Sequence, residues 1–106
     1  MPRSHKEVEI LIIKLEQSLR EAMLWSSSIP SNQALQSMVP FAFDSMAFEQ
    51  WLQFIFIPKM SELIRTEKAL PTNLELLPMA EQSLGAEGYQ SRVIEVIKQI
   101  DLVFSV

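Results

Sequence analysis

The fold of this protein is decided by residues 45–68, which read SMAFEQWLQFIFIPKMSELIRTEK. Apolar side chains recur there at helical spacing and continue around most of the helix circumference, at Phe48, Trp51, Leu52, Phe54, Ile55, Phe56 and Ile57. A helix at the surface would keep a polar side for water, so this one is expected to lie within a bundle, covered by other helices. The sequence therefore predicts an all-α fold, a multihelical bundle around one central apolar helix.

Pro58 lies inside this predicted helix. A proline has no backbone N–H, and its ring crowds the carbonyl four residues earlier, which here belongs to Phe54. We therefore expect the central helix to be kinked or broken near Pro58, so that the residues from Lys59 onward take a new direction. At the other end, Asp44 or Ser45 is expected to cap the first turn.

The chain on either side supplies helices that would cover the central one. A first helix is predicted from Ser4 to Leu24, with one apolar stripe at Val8, Ile12, Leu15, Leu19 and Met23. A last helix is predicted from about Tyr89, with a buried face at Val93, Ile97, Ile100 and Phe104. Ile10 and Ile13 lie off the first stripe, which indicates a second, partial packing contact.

Length and composition limit the class of protein. The 106 residues suit one domain spanning residues 1–106, and a hydrophobic fraction of 48% is too high for a disordered chain. The sequence has no cysteine, which excludes disulfides and thiolate chemistry. The apolar run before Pro58 is far shorter than the roughly 20 residues that cross a bilayer, and the charged amino terminus is unlike a signal peptide. We therefore expect a soluble, cytoplasmic protein with no membrane segment.

The charge pattern argues against direct binding of nucleic acid. The formal net charge is −4, with no block of consecutive like charges. Lys59, Arg65 and Lys68 form a small basic group, but Glu62 and Glu67 dilute it. Since cations stabilise the C-terminus of a helix, the structural explanation of this group is favoured.

Residues that could carry catalysis are scarce. The single histidine, His5, falls in a terminal segment that is expected to fray. The sequence has no Gly-rich phosphate loop, no nucleophile elbow and no metal-ligand spacing, and its carboxylates do not fall on shared helical faces. We therefore predict no catalytic residue, no metal and no cofactor, and a protein that is not an enzyme.

The most unusual group of residues combines aromatic and polar side chains around an extended apolar strip, Met38 to Phe43. Tryptophan is enriched at interface hot spots because it buries a large area and also carries a polar N–H. Packing in the core is the alternative interpretation, and the sequence leaves it open. The candidate interaction surface consists of Trp25, Phe41, Phe43, Asp44, Gln50, Trp51, Gln53 and Lys59.

The same region carries a resemblance to a known family. The run from Pro40 to Met60, with Trp25 before it and Leu70-Pro71 and residues 78–81 (PMAE) after it, resembles the YqcC-like family of small bacterial proteins. The match extends over nearly the whole chain. It implies an all-helical domain of unsettled function whose gene commonly lies beside that of tRNA pseudouridine synthase C. Ala47 stands where the family is expected to have proline.

The resemblance favours a helper protein over an enzyme, because the family supplies no catalytic residue. The first hypothesis is a non-catalytic protein that binds another protein through the candidate interaction surface, with tRNA pseudouridine synthase C as the candidate partner. The second is a small-molecule binder or unrecognised enzyme with a pocket lined by Trp25, Asp44, Gln53 and Lys59. Direct RNA binding is a third hypothesis. The oligomeric state is left open by the sequence, and a homodimer that buries the apolar strip is one alternative.

Overall fold

The structure, a computed structural model, describes residues 5–29, 32–35, 46–70, 75–84, 88 and 90–104. This part of the chain contains helices and connecting turns, with no strand. In chain order the elements are α1 (His5–Glu21), α2 (Asn32–Leu35), α3 (Phe48–Trp51), a π-helical segment (Leu52–Phe56), α4 (Ile57–Arg65), α5 (Leu77–Leu84) and α6 (Gln90–Phe104). The predicted all-α class is confirmed.

The longest helices, α1 and α6, pack against each other most extensively. Their predicted stripes are buried at Val8, Ile12, Leu15 and Leu19 on α1 and at Val93, Ile97, Ile100 and Phe104 on α6. The two helices run antiparallel. Glu21 at the end of α1 forms an ion pair with Arg92 at the start of α6, at 3.2 Å, while the beginning of α1 and the last turn of α6 line a common groove.

The predicted end of α1 is wrong by one turn. Met23 was expected on the buried stripe, but its side chain is 91% exposed and its backbone is left-handed, with φ of 60°. The N–H of Leu24 donates to the Leu19 carbonyl at 2.9 Å, and that of Met23 donates to Arg20 at 3.1 Å. This is a Schellman motif, which normally has glycine where Met23 stands. It turns the chain so that Leu24 packs on the core.

The same motif ends α4. Glu67 has φ of 54°, and the N–H of Lys68 donates to the Leu63 carbonyl at 2.9 Å. Two helices therefore end on a residue other than glycine in the left-handed region, where a side chain costs about 1 kcal/mol or more.

The segment from Phe48 to Arg65 forms one continuous helix whose hydrogen-bond register changes just before Pro58. In the π-helical segment the Ile57 N–H donates to the Leu52 carbonyl, five residues back, while the backbone dihedrals at Phe56 and Ile57 stay right-handed helical. Where a kink or break is predicted, the structure has this change of register, and the helix continues through it. The register changes where the missing N–H of proline would interrupt an α-helical ladder.

The start of this helix differs from the prediction. Ala47 is the capping residue, in an extended conformation, so the predicted cap at Asp44 or Ser45 is wrong; both of those residues lie outside the described part. Alanine offers no side-chain acceptor. The cap is therefore half-formed: the Ala47 N–H donates to the Gln50 side-chain oxygen at 3.0 Å, which satisfies one backbone donor at the end of the helix.

The core is one cluster to which all of the larger helices contribute. The central helix contacts α1 through α4 and contacts α5 through α3, while α5 also packs on α6. Its own buried side chains are Phe48, Leu52, Gln53, Phe56, Ile57 and Met60. Other positions around this helix are half-buried, including Trp51, Phe54 and Ile55, which agrees with the prediction of an apolar helix covered on several sides.

A carboxylate on α6 caps the start of α5. Asp101 accepts hydrogen bonds from the backbone N–H of Leu76, at 2.9 Å to each oxygen, and of Leu77, at 2.8 Å. Helix N-termini leave such donors without partners and favour a negative charge beside them. This contact joins residues 25 positions apart in sequence and fixes α5 against the end of α6.

Replacing Asp101 should therefore loosen α5. We expect Asp101→Ala to lower the free energy of unfolding by about 2 kcal/mol, because two partly buried N–H groups lose a charged acceptor. Asp101→Asn keeps one acceptor oxygen, so its free energy of unfolding should lie between those of wild type and Asp101→Ala. Urea denaturation measures the free energy of unfolding of both variants. Glu95→Ala, an exposed carboxylate on the same helix, is the matched control and should change stability by less than about 0.5 kcal/mol. Equal effects at the two positions would contradict the capping role.

Removing the left-handed strain should stabilise the fold. Met23→Gly is expected to raise the free energy of unfolding by about 0.5–1 kcal/mol, since the exposed methionine side chain loses no packing and glycine adopts positive φ without a steric cost. Thermal unfolding would show this as a higher Tm. Gln17→Gly, at an exposed position inside α1, should lower the free energy of unfolding, because glycine is unfavourable in the interior of a helix. A Tm that falls for Met23→Gly would be inconsistent with this interpretation of the turn.

Candidate functional site

Five of the eight residues of the candidate interaction surface lie in the described part of the chain: Trp25, Gln50, Trp51, Gln53 and Lys59. Phe41, Phe43 and Asp44 lie outside it, as does the whole of the predicted extended strip from Met38 to Phe43. The part of the surface that can be described is built from the loop after α1 and from the central helix, where Gln50, Trp51 and Gln53 precede Pro58 and Lys59 follows it.

The Gln53 side chain joins these two pieces. Its amide oxygen accepts from the Ser26 N–H at 2.7 Å, and its amide nitrogen donates to the Ser26 carbonyl at 2.8 Å. Gln53 is 7% exposed, so both bonds lie in a largely dehydrated setting, where an unpaired amide would be costly. The second hypothesis predicts that Gln53 lines a ligand pocket with Trp25, whereas in the structure its amide holds the loop that follows Trp25.

Trp51 lies in a stack of aromatic rings. Its ring is 6.0 Å from that of Phe48 and 5.6 Å from that of Phe56, with interplanar angles of 15° and 27°. In an α-helix, residues five apart do not face each other. The hydrogen bonds of the π-helical segment join residues five apart and bring Phe56 to the side of Trp51. The register change therefore determines the shape of this aromatic surface.

Trp25 is half-buried and packs on the core. The Arg20 guanidinium lies over its ring, 4.5 Å from the ring centroid, and the same arginine pairs with Glu16 at 3.0 Å. A cation over an indole ring at this distance is a favourable contact. The described aromatic residues of the candidate interaction surface are thus engaged within the molecule while keeping part of their area open to solvent.

Lys59 is the exposed charge of this region. Nearby on α4, Arg65 forms hydrogen bonds to both carboxylate oxygens of Glu62, at 2.6 and 2.7 Å from one guanidinium nitrogen. These hydrogen bonds and the attraction between the charges lower the pKa of Glu62 and raise that of Arg65. The basic group predicted at the end of the central helix is therefore partly neutralised.

His5 has a structural contact that the sequence did not indicate. Its Nε2 lies 2.7 Å from the Lys68 carbonyl, so the ring donates to the turn that follows α4. This bond ties the first residue of α1 to a segment 63 positions away and so opposes the fraying that the sequence predicts for His5.

Two pockets in the described structure lie along α1, and none of the described candidate residues lines either of them. One, of about 340 Å³, lies between α1 and α4 and is lined by Glu9, Ile12, Ile13, Ser61, Ile64 and Arg65. The other, of about 330 Å³, lies between α1 and α6 and is lined by Glu7, Ile10, Leu11, Gln99, Leu102 and Val103. Both are mostly apolar. The sequence signal for these pockets was that Ile10 and Ile13 lie off the apolar stripe of α1. In the structure both side chains are exposed, and each lines one of the two pockets.

The geometry defines a class of protein: a small all-helical domain with an aromatic surface and apolar grooves. Within the described ranges no three side chains of His, Cys, Asp or Glu come together as metal ligands, and no helix there is long and apolar enough to cross a membrane.

Comparison with known proteins identifies the family. A family model described as DUF446, tRNA pseudouridine synthase C, matches residues 7–103, and the chain belongs to this family. An uncharacterised protein of Haemophilus influenzae is 34% identical over 71 residues, which cover 67% of each chain. The uncharacterised protein YqcC of Escherichia coli is 28% identical over 103 residues, 96% of this chain and 94% of that one. The resemblance to the YqcC-like family is therefore confirmed.

The solved structure of a relative supports the fold. The solution NMR structure of YqcC from E. coli superimposes with a TM-score of 0.81 at 28% identity, over 95% of this chain and 87% of that one.

A larger relative carries the same name as the one in the family description. A protein of Pectobacterium carotovorum named tRNA pseudouridine synthase C is 38% identical over 65 residues, which are 61% of this chain but 17% of that protein. The match therefore covers just under two thirds of this chain and a small part of the Pectobacterium protein.

The pairing of Gln53 with Ser26 generates a stability prediction. Gln53→Ala should lower the free energy of unfolding by about 2–3 kcal/mol, since it leaves the backbone groups of Ser26 without partners and opens a void. Gln17→Ala, at an exposed glutamine on α1, is the control, with an expected change below about 0.5 kcal/mol.

A second substitution at this position tests the geometry through pH. In Gln53→Glu the introduced carboxyl faces the Ser26 carbonyl, so burial and that carbonyl favour the protonated form and raise the pKa of the introduced group in the folded state. The stability of this variant should then be closest to wild type near about pH 4 and should fall as the pH rises to about 7. Urea denaturation at the two pH values measures this, and a pH-independent difference from wild type would contradict it.

Proposed function

We propose that this protein is a non-catalytic binding partner of tRNA pseudouridine synthase C. One observation carries the proposal: a protein that bears this name in Pectobacterium carotovorum includes a segment 38% identical to this chain, amounting to 17% of its own length. Two segments that are joined in one polypeptide stay close to each other. A chain of this family that is not joined to the synthase would come close to it by binding.

The proposal has a thermodynamic consequence. A fused domain is held near its neighbour at an effective concentration that reaches the millimolar range for short linkers, so it needs little intrinsic affinity. A separate domain of the same kind must supply the affinity through its own surface. An exposed apolar or aromatic area is therefore expected on this chain, and the described structure has both kinds.

Charge complementarity supports the same partner. An enzyme that acts on tRNA needs a positively charged surface to hold phosphates, and this chain has a formal net charge of −4. Opposite net charges speed the encounter of two proteins, and salt screens the effect. The association rate is therefore expected to fall as salt is added.

A binding role also agrees with the way that the described polar groups are used. Asp101 caps α5, Gln53 holds the loop after α1, and His5 donates to the turn after α4. Each of these side chains has a structural task. The grooves along α1, in contrast, are lined mainly by aliphatic side chains, which suits contact with a protein better than proton transfer.

Direct binding to the synthase tests the proposal. The full chain, immobilised through a tag, is expected to capture purified tRNA pseudouridine synthase C from the same organism at micromolar concentrations, and untagged chain should compete. Nuclease treatment of both proteins before mixing removes any RNA that could bridge them. A pseudouridine synthase of another class serves as the control partner and should not bind. No association by surface plasmon resonance or calorimetry at micromolar concentrations would refute the proposal.

A further inference from the structure

An apolar groove lies between the first turns of α1 and the last turn of α6. Leu11 and Val103 form its deeper part, while Ile10 and Leu102 project from its edges, 47% and 69% exposed. Its polar groups are Glu7 and Gln99. Large aliphatic side chains that are half-exposed on two adjacent helices form a contiguous patch, which is the kind of surface that a protein partner covers.

We infer that this groove is the docking surface for tRNA pseudouridine synthase C; the inference rests on the function proposed above and names the face that serves it. The argument for this occupant begins with the position of the helix ends. Because α1 and α6 are antiparallel, with Glu21 paired to Arg92 at one end of the bundle, His5 and Phe104 lie at the opposite end, beside the groove.

This position matters in a fused protein. Further chain that is attached before α1 or after α6 leaves the domain next to Ile10 and Leu102 in either case. In the Pectobacterium protein that is named tRNA pseudouridine synthase C, the segment similar to this chain makes up 17% of the length, so further chain adjoins it. The groove lies between the start of α1 and the end of α6, and a tethered domain covers nearby surface at the lowest entropic cost.

The other candidate surfaces are less suited to this partner. Around the central helix, Trp51 stacks on Phe48 and Phe56, and Trp25 lies beneath Arg20. The groove between α1 and α4 has charged groups at its edge, Glu9 and Arg65, and dehydrating a charge on binding is costly. The α1–α6 groove instead offers aliphatic side chains with a single carboxylate at its edge. Its partner is expected to insert apolar side chains there.

Exposed isoleucines on α1 provide a matched experiment. Ile10 lines the α1–α6 groove, whereas Ile13, one turn later and 52% exposed, lines the α1–α4 groove. We expect Ile10→Glu and Leu102→Glu each to weaken binding of the synthase by about tenfold or more, as for a buried anchor residue. Ile13→Glu should change binding by less than about threefold. All three residues are exposed on helices, so circular dichroism and Tm should confirm that the variants fold like wild type.

The outcomes separate the two proposals. If wild type does not bind the synthase, the proposed function fails. If wild type binds and both Ile10→Glu and Leu102→Glu bind equally well, the function stands and the docking surface is wrong. Equal losses from Ile10→Glu and Ile13→Glu would likewise overturn the assignment to this groove. Sedimentation of the chain alone completes the test, because a wild-type dimer that Ile10→Glu dissociates would show that a second copy covers the groove instead.

Discussion

The structure depends on how the central apolar helix accommodates Pro58 without ending. A residue without a backbone N–H must be accommodated while Leu52, Phe56 and Ile57 stay buried, and a turn of π-helix before the proline achieves both. One local consequence of this adjustment is that the ring of Phe56 stacks on Trp51. In the same segment Gln53 is buried, and its amide reaches the loop after α1.

A few polar contacts between distant parts of the chain then fix the helices around this segment. Gln53 binds Ser26, Asp101 binds the start of α5, and His5 binds the Lys68 carbonyl. Each contact satisfies backbone groups at the end of a helix or in a loop, where an apolar core cannot do so. The hydrophobic stripes decide which faces meet, and these bonds hold the neighbouring loops, turns and helix starts in place.

The sequence predicted the stripes well and the ends poorly, and the difference has a physical cause. Periodicity reports the face of a helix, so Val8, Leu15, Ile97 and Phe104 were predicted as core and are fully or almost fully buried. It does not report a cap supplied from elsewhere in the chain, such as Asp101, or a left-handed turn at a methionine. Ile10 and Ile13 did carry a signal, since they broke the stripe, but periodicity could not show whether another helix or solvent lay against them.

The antiparallel arrangement of α1 and α6 has a further consequence for how this fold can be joined to another polypeptide. Its first and last helices emerge side by side, at the same pole of the molecule. A unit of this shape can be inserted into a surface loop of a host enzyme as readily as it can be appended to a terminus, because the two ends of the loop stay close together. Attachment of further chain at this end then requires no rearrangement of the helices.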